Sequence, residues 1–207
     1  MKLHKLAALM ALTAAFGSAQ AFTSTGTFNV TVKVTPTCRA VATNTGQAAV
    51  ISNDTPTLAG ADINFGTQVA DNANAAINVG NTGGAANTVT VLCSKKTPYT
   101  VGLTPGNNAS TSGSGIMNGG ILALGNTDTV PYQLYQPTIT AGVPGAPATA
   151  TQWGNVTGAG ANVVTLAGKG LAVASAVKIP VYATLPANSL DVTPDRYQDQ
   201  VTVTLTW

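Results

Sequence analysis

The sequence predicts an all-β fold, and more specifically a β-sandwich built from short strands. Two observations lead to this prediction. Val, Ile and Thr alternate with polar residues over many short segments, and clusters of Gly, Asn, Pro and Ser interrupt these segments at short intervals. We find no segment with the apolar period of an amphipathic helix. Many short strands separated by turn residues are typical of a β-sandwich.

The first 21 residues have the three parts of a secretory signal peptide. Lys2 and Lys5 precede an apolar run from Leu6 to Phe16, and small residues follow up to Ala21. The apolar run is shorter than the roughly 20 residues that are needed to span a bilayer. We therefore expect residues 1–21 to be removed on export and the exported protein not to insert into a membrane.

The first strand that the sequence predicts is FNVTVKV at residues 28–34, where apolar and polar residues alternate without exception. Gly26 before it and Pro36 after it can separate it from the rest of the chain. An ordinary first strand folded onto its own domain would show the same pattern. The apolar residues, which fall on one face, are Phe28, Val30, Val32 and Val34.

The same criteria predict further strands along the chain. They are Ala61–Phe65, Ala76–Val79, Asn87–Cys93, Tyr99–Leu103, Gly120–Leu124, Tyr132–Tyr135, Val163–Leu166, Val177–Thr184 and Gln200–Trp207. In the last of these, Val201, Val203, Leu205 and Trp207 share one face and threonines occupy the other. Residues 106–115 and 138–150, rich in Asn, Ser, Gly and Pro, are interpreted as connecting loops, with surface specificity as the alternative.

The composition argues against most enzymatic and nucleic-acid functions. No glutamate occurs, and the only histidine, His4, lies in the predicted signal peptide. The remaining chain balances seven Lys and Arg residues against seven Asp residues, so it has no basic surface for phosphate backbones. General acid–base catalysis and transition-metal binding lack their usual residues. We therefore expect no enzyme, no cofactor, no metal and no nucleic-acid partner.

Two groups of side chains leave alternatives open. Asp191, Asp195 and Asp199 are interpreted as solvated turn charges before the last strand. A calcium site is the alternative, although the spacing is not that of an EF-hand loop. Five aromatic residues are interpreted as core and interface residues, with a carbohydrate site as the alternative. They are Tyr99, Tyr132, Tyr135, Trp153 and Tyr182.

The chain has two cysteines, Cys38 and Cys93. Because export leads to an oxidising compartment, we expect them to form a disulfide rather than a metal or redox site. The bridge would close a loop of 55 residues, which the chain-entropy model values at about 4 kcal/mol.

Short motifs along the chain resemble one family. In order they are FNVTVKVTPTC at the start, INFG at 63–66, TVTVLCS at 88–94, PYTVGLTPGNN at 98–108, GIMNGG at 115–120, PYQLY at 131–135, QWGN at 152–155, IPVYATLP at 179–186 and the terminal YQDQVTVTLTW. Their order, with the cysteine placement and the terminal aromatic residue, resembles the archaic chaperone–usher pilins of the spore coat protein U family, such as the major subunits of Csu-type pili.

This resemblance implies a fold and a way of assembling. The fold would be an immunoglobulin-like sandwich that lacks its last strand, over residues 37–207, preceded by an N-terminal donor-strand extension at 22–36. Phe28, Val30, Val32 and Val34 would then be the donor residues. The strand that carries Val201, Val203, Leu205 and Trp207 would be the edge that accepts a chaperone strand first and a neighbouring subunit's donor strand later.

The resemblance also implies partners, a location and a role. The partners would be a periplasmic chaperone, an outer-membrane usher and neighbouring copies in a homopolymer. The protein would pass through the periplasm to a cell-surface pilus that serves adhesion and biofilm formation. The alternative is a self-sufficient secreted spore or cell coat protein, or a carbohydrate-binding module of the same fold.

Overall fold

A computed structural model of the chain describes residues 27, 29–41, 61–79, 87–145 and 151–207, and within these ranges the fold is all-β. The chain divides into a unit of residues 1–34 and a unit of residues 35–207. In the first unit, the described residues belong to no regular secondary structure, whereas the second contains every strand. No helix in the described ranges has the length and apolar character needed to cross a membrane.

Twelve strands and one short 3₁₀ turn, Val173–Ser175, make up the regular structure of the described residues. In chain order the strands are β1 Cys38–Val41, β2 Ile77–Val79, β3 Thr88–Cys93, β4 Pro98–Pro105, β5 Ser114–Asn118, β6 Thr129–Tyr135, β7 Ile139–Thr140, β8 Val143–Pro144, β9 Val164–Ala167, β10 Val177–Pro180, β11 Tyr182–Leu185 and β12 Val201–Thr206.

The strands form three sheets and one small hairpin, and all of their pairings are antiparallel. The strand orders are β1-β3-β10, β2-β11-β6-β5 and β12-β4-β9, while β7 pairs with β8. Antiparallel sheets bury one face and expose the other, which agrees with the alternating burial of β6, β9 and β11. The all-β fold that the sequence predicts is confirmed.

One hydrophobic core joins the inner faces of the three larger sheets. Its largest fully buried side chains are those of Trp153, Tyr99, Leu103, Leu134, Ile179 and Leu185. Trp153 donates its indole N–H to the carbonyl oxygen of Val101 at 2.9 Å, so the one polar atom of this large side chain is satisfied. Aromatic residues therefore contribute both apolar area and orientation to the core.

The predicted strand Val177–Thr184 is two strands in different sheets. β10 pairs with β3, whereas β11 pairs with β6 and β2. The change of sheet occurs at Val181, whose N–H donates to the carbonyl oxygen of Asn87 at 2.7 Å. Pro180, which has no N–H to donate, ends the first ladder at this point. A continuous apolar run thus serves two sheets, and its pattern does not reveal where it divides.

Three other predictions of secondary structure are wrong in part. Ala61–Phe65 and Gly120–Leu124 do not form strands. The proposed loop at 138–150 contains the β7–β8 hairpin, whose central residues Ala141 and Gly142 have φ of 50° and 73°. Positive φ at both positions is the signature of a type I′ turn, which matches the twist of a two-stranded hairpin.

Candidate functional site

An apolar groove of about 520 Å³ lies beside β12. The sheet that contains β6 and β11 contributes Val130, Tyr132, Leu134, Ala183 and Leu185 to its lining. From the neighbouring sheet come Leu103, Val201 and Val203, and the segment 61–70 lines it as well. The lining also includes Met117, Leu122 and residues 194–198, and we call this group the Asp195 end. The space is a cleft between two sheets that is lined mostly by core side chains.

β12 is an edge strand that borders this groove. Among the residues that the structure describes, β12 pairs with β4 only, in a register that runs from Val201 opposite Pro105 to Thr206 opposite Thr100. Its second edge therefore carries backbone N–H and C=O groups without a strand partner in the described chain. An edge next to an apolar cleft is suited to pair with an added strand, whose alternate side chains would fill the cleft.

The segment 61–70 borders the groove without belonging to a sheet. Ile63 and Phe65 are half-buried and pack against the core, and the polar residue between them is Asn64, whose side-chain oxygen accepts from the Gly66 N–H at 2.8 Å. No backbone–backbone hydrogen bond that we observe among the described residues joins 61–70 to a strand. The alternating pattern that predicted a strand is therefore used for side-chain packing at the groove.

A phenol–carboxylate pair fixes the beginning of β12. The buried Tyr132 donates its hydroxyl to Asp199 at 2.6 Å, and the other carboxylate oxygen accepts from the N–H of Asn107 at 2.9 Å. Burial, assisted by the adjacent carboxylate, raises the pKa of the Tyr132 phenol. The hydroxyl therefore remains a donor, and the pair attaches the start of β12 to β6 and to the turn after β4.

Tyr197 makes a second contact before β12. Its hydroxyl donates at 2.6 Å to the carbonyl oxygen of Thr193, four residues upstream. This hydrogen bond back to the chain near the start of a strand is similar to the one in the tyrosine corner of immunoglobulin-like sandwiches. Asn126 also donates to this hydroxyl, at 3.0 Å.

Asp195 accepts a dense set of hydrogen bonds from the loop that joins β5 to β6. The backbone N–H groups of Gly120, Leu122 and Ala123 donate to it at 2.5, 2.7 and 3.0 Å. The side-chain amide of Asn126 adds a bond of 2.8 Å. The prediction of a solvated turn charge is therefore wrong for Asp195, because its partners are distant in sequence and only the fold brings them together.

The other two aspartates of this cluster have different surroundings. Asp191 is exposed, while Asp199 is held by Tyr132 as described above. Within the described ranges, no group of three or more Asp, Glu, His or Cys side chains is placed to hold a metal ion. The three carboxylates therefore act separately.

Cys38 and Cys93 form the predicted disulfide, with an S–S distance of 2.05 Å and Cα atoms 4.1 Å apart. They face each other in the β1–β3 ladder, where Cys38 is the first residue of β1 and Cys93 is the last residue of β3. The bridge attaches β1 to the core sheet directly after the N-terminal segment.

The predicted donor residues lie in the first unit of the chain. Val30, Val32 and Val34 are 85%, 86% and 81% exposed, and Phe28 lies outside the described residues. Residues 29–34 are not in a strand. An isolated extended segment cannot form a ladder without a partner edge, so its alternating pattern alone does not produce a strand.

The predicted acceptor residues divide into two pairs. Val201 and Val203 are half-buried and line the groove. Leu205 is half-buried and packs against the core, but it is not part of the groove lining, and Trp207 is 55% exposed. The structure thus brings the first half of this face to the groove.

The aromatic side chains are distributed through the body rather than gathered on one surface. Tyr99, Tyr132 and Trp153 are buried in the core, and Tyr135 and Tyr182 are half-buried. This arrangement favours the interpretation as core aromatics. Sequence reasoning did not find the groove-lining role of 61–70 or the bonds of Asp195 and Asp199, since all of these depend on contacts between distant segments.

Comparison with known proteins gives a family. The chain shares 17% identity with a solved structure of the CsuC–CsuE complex of chaperone and tip adhesion subunit, from the archaic chaperone–usher Csu pili of Acinetobacter baumannii. That alignment covers 84% of this chain and 40% of the other, with a TM-score of 0.42. No curated protein matches the chain. The model of the Spore Coat Protein U domain matches residues 24–204, and the chain therefore belongs to the Spore Coat Protein U domain family.

Proposed function

We propose that the chain is a structural subunit of a surface pilus that is assembled by the chaperone–usher pathway through donor-strand complementation. The observation that carries the proposal is the apolar groove beside β12, whose second edge has no strand partner in the described residues. A domain that leaves such a cleft open gains stability when an extended segment fills it and pairs with its edge.

Residues 22–36 are the proposed donor extension and residues 37–207 the proposed pilin domain. Val30, Val32 and Val34 are exposed at period two, as a segment that is buried by another molecule would be. Together with Phe28, these side chains would contribute roughly 6–12 kcal/mol of gross apolar burial in a neighbour's groove. The contact is head-to-tail and does not close on itself, so it produces a filament.

The proposal includes a route and partners. Residues 1–21 direct export, a periplasmic chaperone covers the groove first, and an outer-membrane usher exchanges the chaperone strand for the donor strand of the next copy. Val201, Val203, Leu205 and Trp207 belong to the strand that contacts each of these in turn. At the cell surface the resulting homopolymer serves adhesion and biofilm formation.

The test compares two single substitutions in the donor segment. Val32→Asp places a charge on the apolar face, whereas Thr31→Asp places the same charge on the adjacent polar face. Material sheared from the cell surface is run on a detergent gel, unboiled and boiled, and detected with antibody against the chain. We expect wild type and Thr31→Asp to give a high-mass ladder that collapses on boiling, and Val32→Asp to give none.

Two other outcomes of the gel would contradict the proposal. Monomer in every lane of wild type would favour the self-sufficient coat or carbohydrate-binding module. A ladder of equal strength from Val32→Asp and Thr31→Asp would contradict the assignment of the donor face. A charge inside an apolar cleft is unpaired and costly, so the two variants differ strongly if the face is right.

A further inference from the structure

We propose that Asp195 is a positioning residue of the groove, which fixes the loop 119–126 against the segment before β12 and so sets where an inserted strand ends. This inference rests on the proposed function, because it specifies how the groove receives a strand. It concerns the Asp195 end, where Met117, Leu122 and residues 194–198 line the cleft.

Hydrogen bonds connect the loop 119–126 to Asp195. The N–H groups of Gly120, Leu122 and Ala123 converge on one carboxylate. Successive N–H groups that converge in this way form an anion-binding concavity, and a carboxylate satisfies them better than a neutral acceptor does. The loop therefore owes its conformation to a side chain 69 to 75 residues away in sequence.

The loop 119–126 and the segment before β12 both contribute residues to the groove lining. Leu122, whose N–H donates to Asp195 at 2.7 Å, is one of the residues that line the groove. On the other side, Pro194, Arg196 and Tyr197 surround Asp195 in the chain and also line the groove. The carboxylate therefore sets the distance between two parts of the groove lining.

The residues around the contact between Asp195 and the loop are closely packed. A Cβ atom on Gly119 would lie 2.4 Å from the Asn126 amide nitrogen and 3.0 Å from an Asp195 carboxylate oxygen. Gly119 therefore lies in close contact with side chains of the loop and of the segment before β12, and loss of the carboxylate would release the loop. The Asp195 end is therefore preorganised before any strand is inserted, which lowers the cost of ordering it on binding.

A neighbouring contact offers a matched comparison. The side chain of Asp128 accepts from the N–H and the hydroxyl of Thr193 at 2.8 and 2.7 Å. It holds the same segment before β12, but its carboxylate makes no hydrogen bond that we observe to the loop N–H groups. Asp128→Asn therefore weakens the segment without releasing the loop, and Asp191→Asn makes the same chemical change at an exposed site.

The experiment measures the position of the inserted strand by cross-linking within surface polymers of the full chain. One parent carries Leu122→Cys with a donor cysteine at Phe28 or Val34, whichever forms the cross-link. A second parent carries Val203→Cys with a donor cysteine at Val30 or Val32. Cys38 and Cys93 are already paired, so the introduced cysteines are the free ones. Cross-linked ladders are quantified on gels without reducing agent.

We expect Asp195→Asn to lower the cross-link at Leu122 about ten-fold, which corresponds to about 1.4 kcal/mol, while the cross-link at Val203 changes less than about two-fold. Asp191→Asn should leave both cross-links unchanged, and Asp128→Asn should not lower the Leu122 cross-link relative to the Val203 cross-link. An equal fall at the two positions, the same pattern with Asp128→Asn, or no fall at all would overturn the inference.

Two further results separate this inference from the function on which it rests. If neither parent forms any polymer and wild type is monomeric, the proposed function is overturned and the inference with it. If wild type polymerises but Asp195→Asn yields no surface material, Asp195→Glu, which keeps the charge, takes its place with the same two readouts. Unchanged cross-links in Asp195→Glu, despite its displaced carboxylate, would then also overturn the positioning role.

Discussion

Asp195 and Tyr132 illustrate how single polar residues organise the start of β12. Each makes its main contact with a residue more than 60 positions away, and each lines the groove. Charge-assisted hydrogen bonds of this kind are roughly twice as strong as neutral ones. Both side chains hold the segment that leads into β12.

The hydrogen bonds to Asp195 make the stability of the fold depend on pH in the acid range. Partial desolvation raises the pKa of Asp195, but the bonds from Ala123, Asn126, Gly120 and Leu122 outweigh it and hold the pKa well below its usual range. A carboxylate with a lowered pKa stabilises the fold above its unfolded pKa, near 4, and loses this contribution as the pH falls toward the folded value.

We therefore expect the difference in unfolding free energy between wild type and Asp195→Asn to be constant from about pH 7 to pH 5 and to shrink below about pH 4. Urea denaturation at a series of pH values measures it, with Asp191→Asn as the control. The bonds from Thr193 also lower the pKa of Asp128. Asp128 therefore contributes to the pH dependence of stability with the same sign in wild type and in Asp195→Asn. A difference that does not depend on pH would show that the charge of Asp195 is not the cause.

The hydroxyl of Tyr132 should contribute to stability through its bond to Asp199. Tyr132→Phe removes the donor to Asp199 and keeps the ring in the core. We expect a loss of about 1.5–3 kcal/mol in the free energy of unfolding, the range for a hydrogen bond to a charged group. Tyr135→Phe, on the half-buried tyrosine three residues along, is the control and should change stability by less than about 0.5 kcal/mol. Equal effects would contradict the role of this bond.

Among the elements, β1 and β12 are the two that the proposed assembly would use most directly. β1 is attached to β3 by the disulfide and follows directly after the proposed donor segment, while β12 offers an edge to an added strand. A load applied through the donor segment would therefore reach the core sheet through Cys38.

The disulfide gives the prediction at this scale. Replacing Cys38 and Cys93 together by Ala removes the constraint on a loop of 55 residues, so we expect a loss of about 4 kcal/mol in unfolding free energy, most of it through the unfolded chain. Denaturation of the wild type with and without reducing agent, beside the double variant, measures it. If the reduced wild type and the double variant differ by more than about 1 kcal/mol, packing of the sulfur atoms contributes as well.

At the scale of the whole molecule, the domain and the N-terminal segment have complementary patterns. The family is structural, which confirms the expectation that the chain is not an enzyme. The domain has a cleft beside an edge that no described strand pairs with, and the segment has three exposed valines at period two. A chain that accepts a strand but cannot give one should therefore end a polymer.

This leads to a prediction on mixtures. When Val32→Asp is co-expressed with wild type, we expect the sheared ladder to shift to shorter species as the proportion of variant rises, because each incorporated variant can fill no further groove. Thr31→Asp at the same proportions should not shorten it. Gel densitometry measures the distribution, and an unchanged distribution with Val32→Asp would mean that the donor face lies elsewhere.

The sequence by itself determined the fold class and the positions of most strands. Alternating residues identified β3, β4, β6 and β12, because a half-buried strand must repeat every two residues whatever its partners are. It also determined the cysteine pair, since the chain has only two cysteines and its first residues predict export.

Only the tertiary structure decided what each segment does next to its neighbours. Residues 61–65 carry a strand pattern but pack as the border of a groove, and 177–185 divides between two sheets. Asp195 became the acceptor for a loop rather than a turn charge. Periodicity reports which side of a segment is buried, whereas sheet partners and hydrogen bonds across 60 or more residues depend on where the chain returns in space.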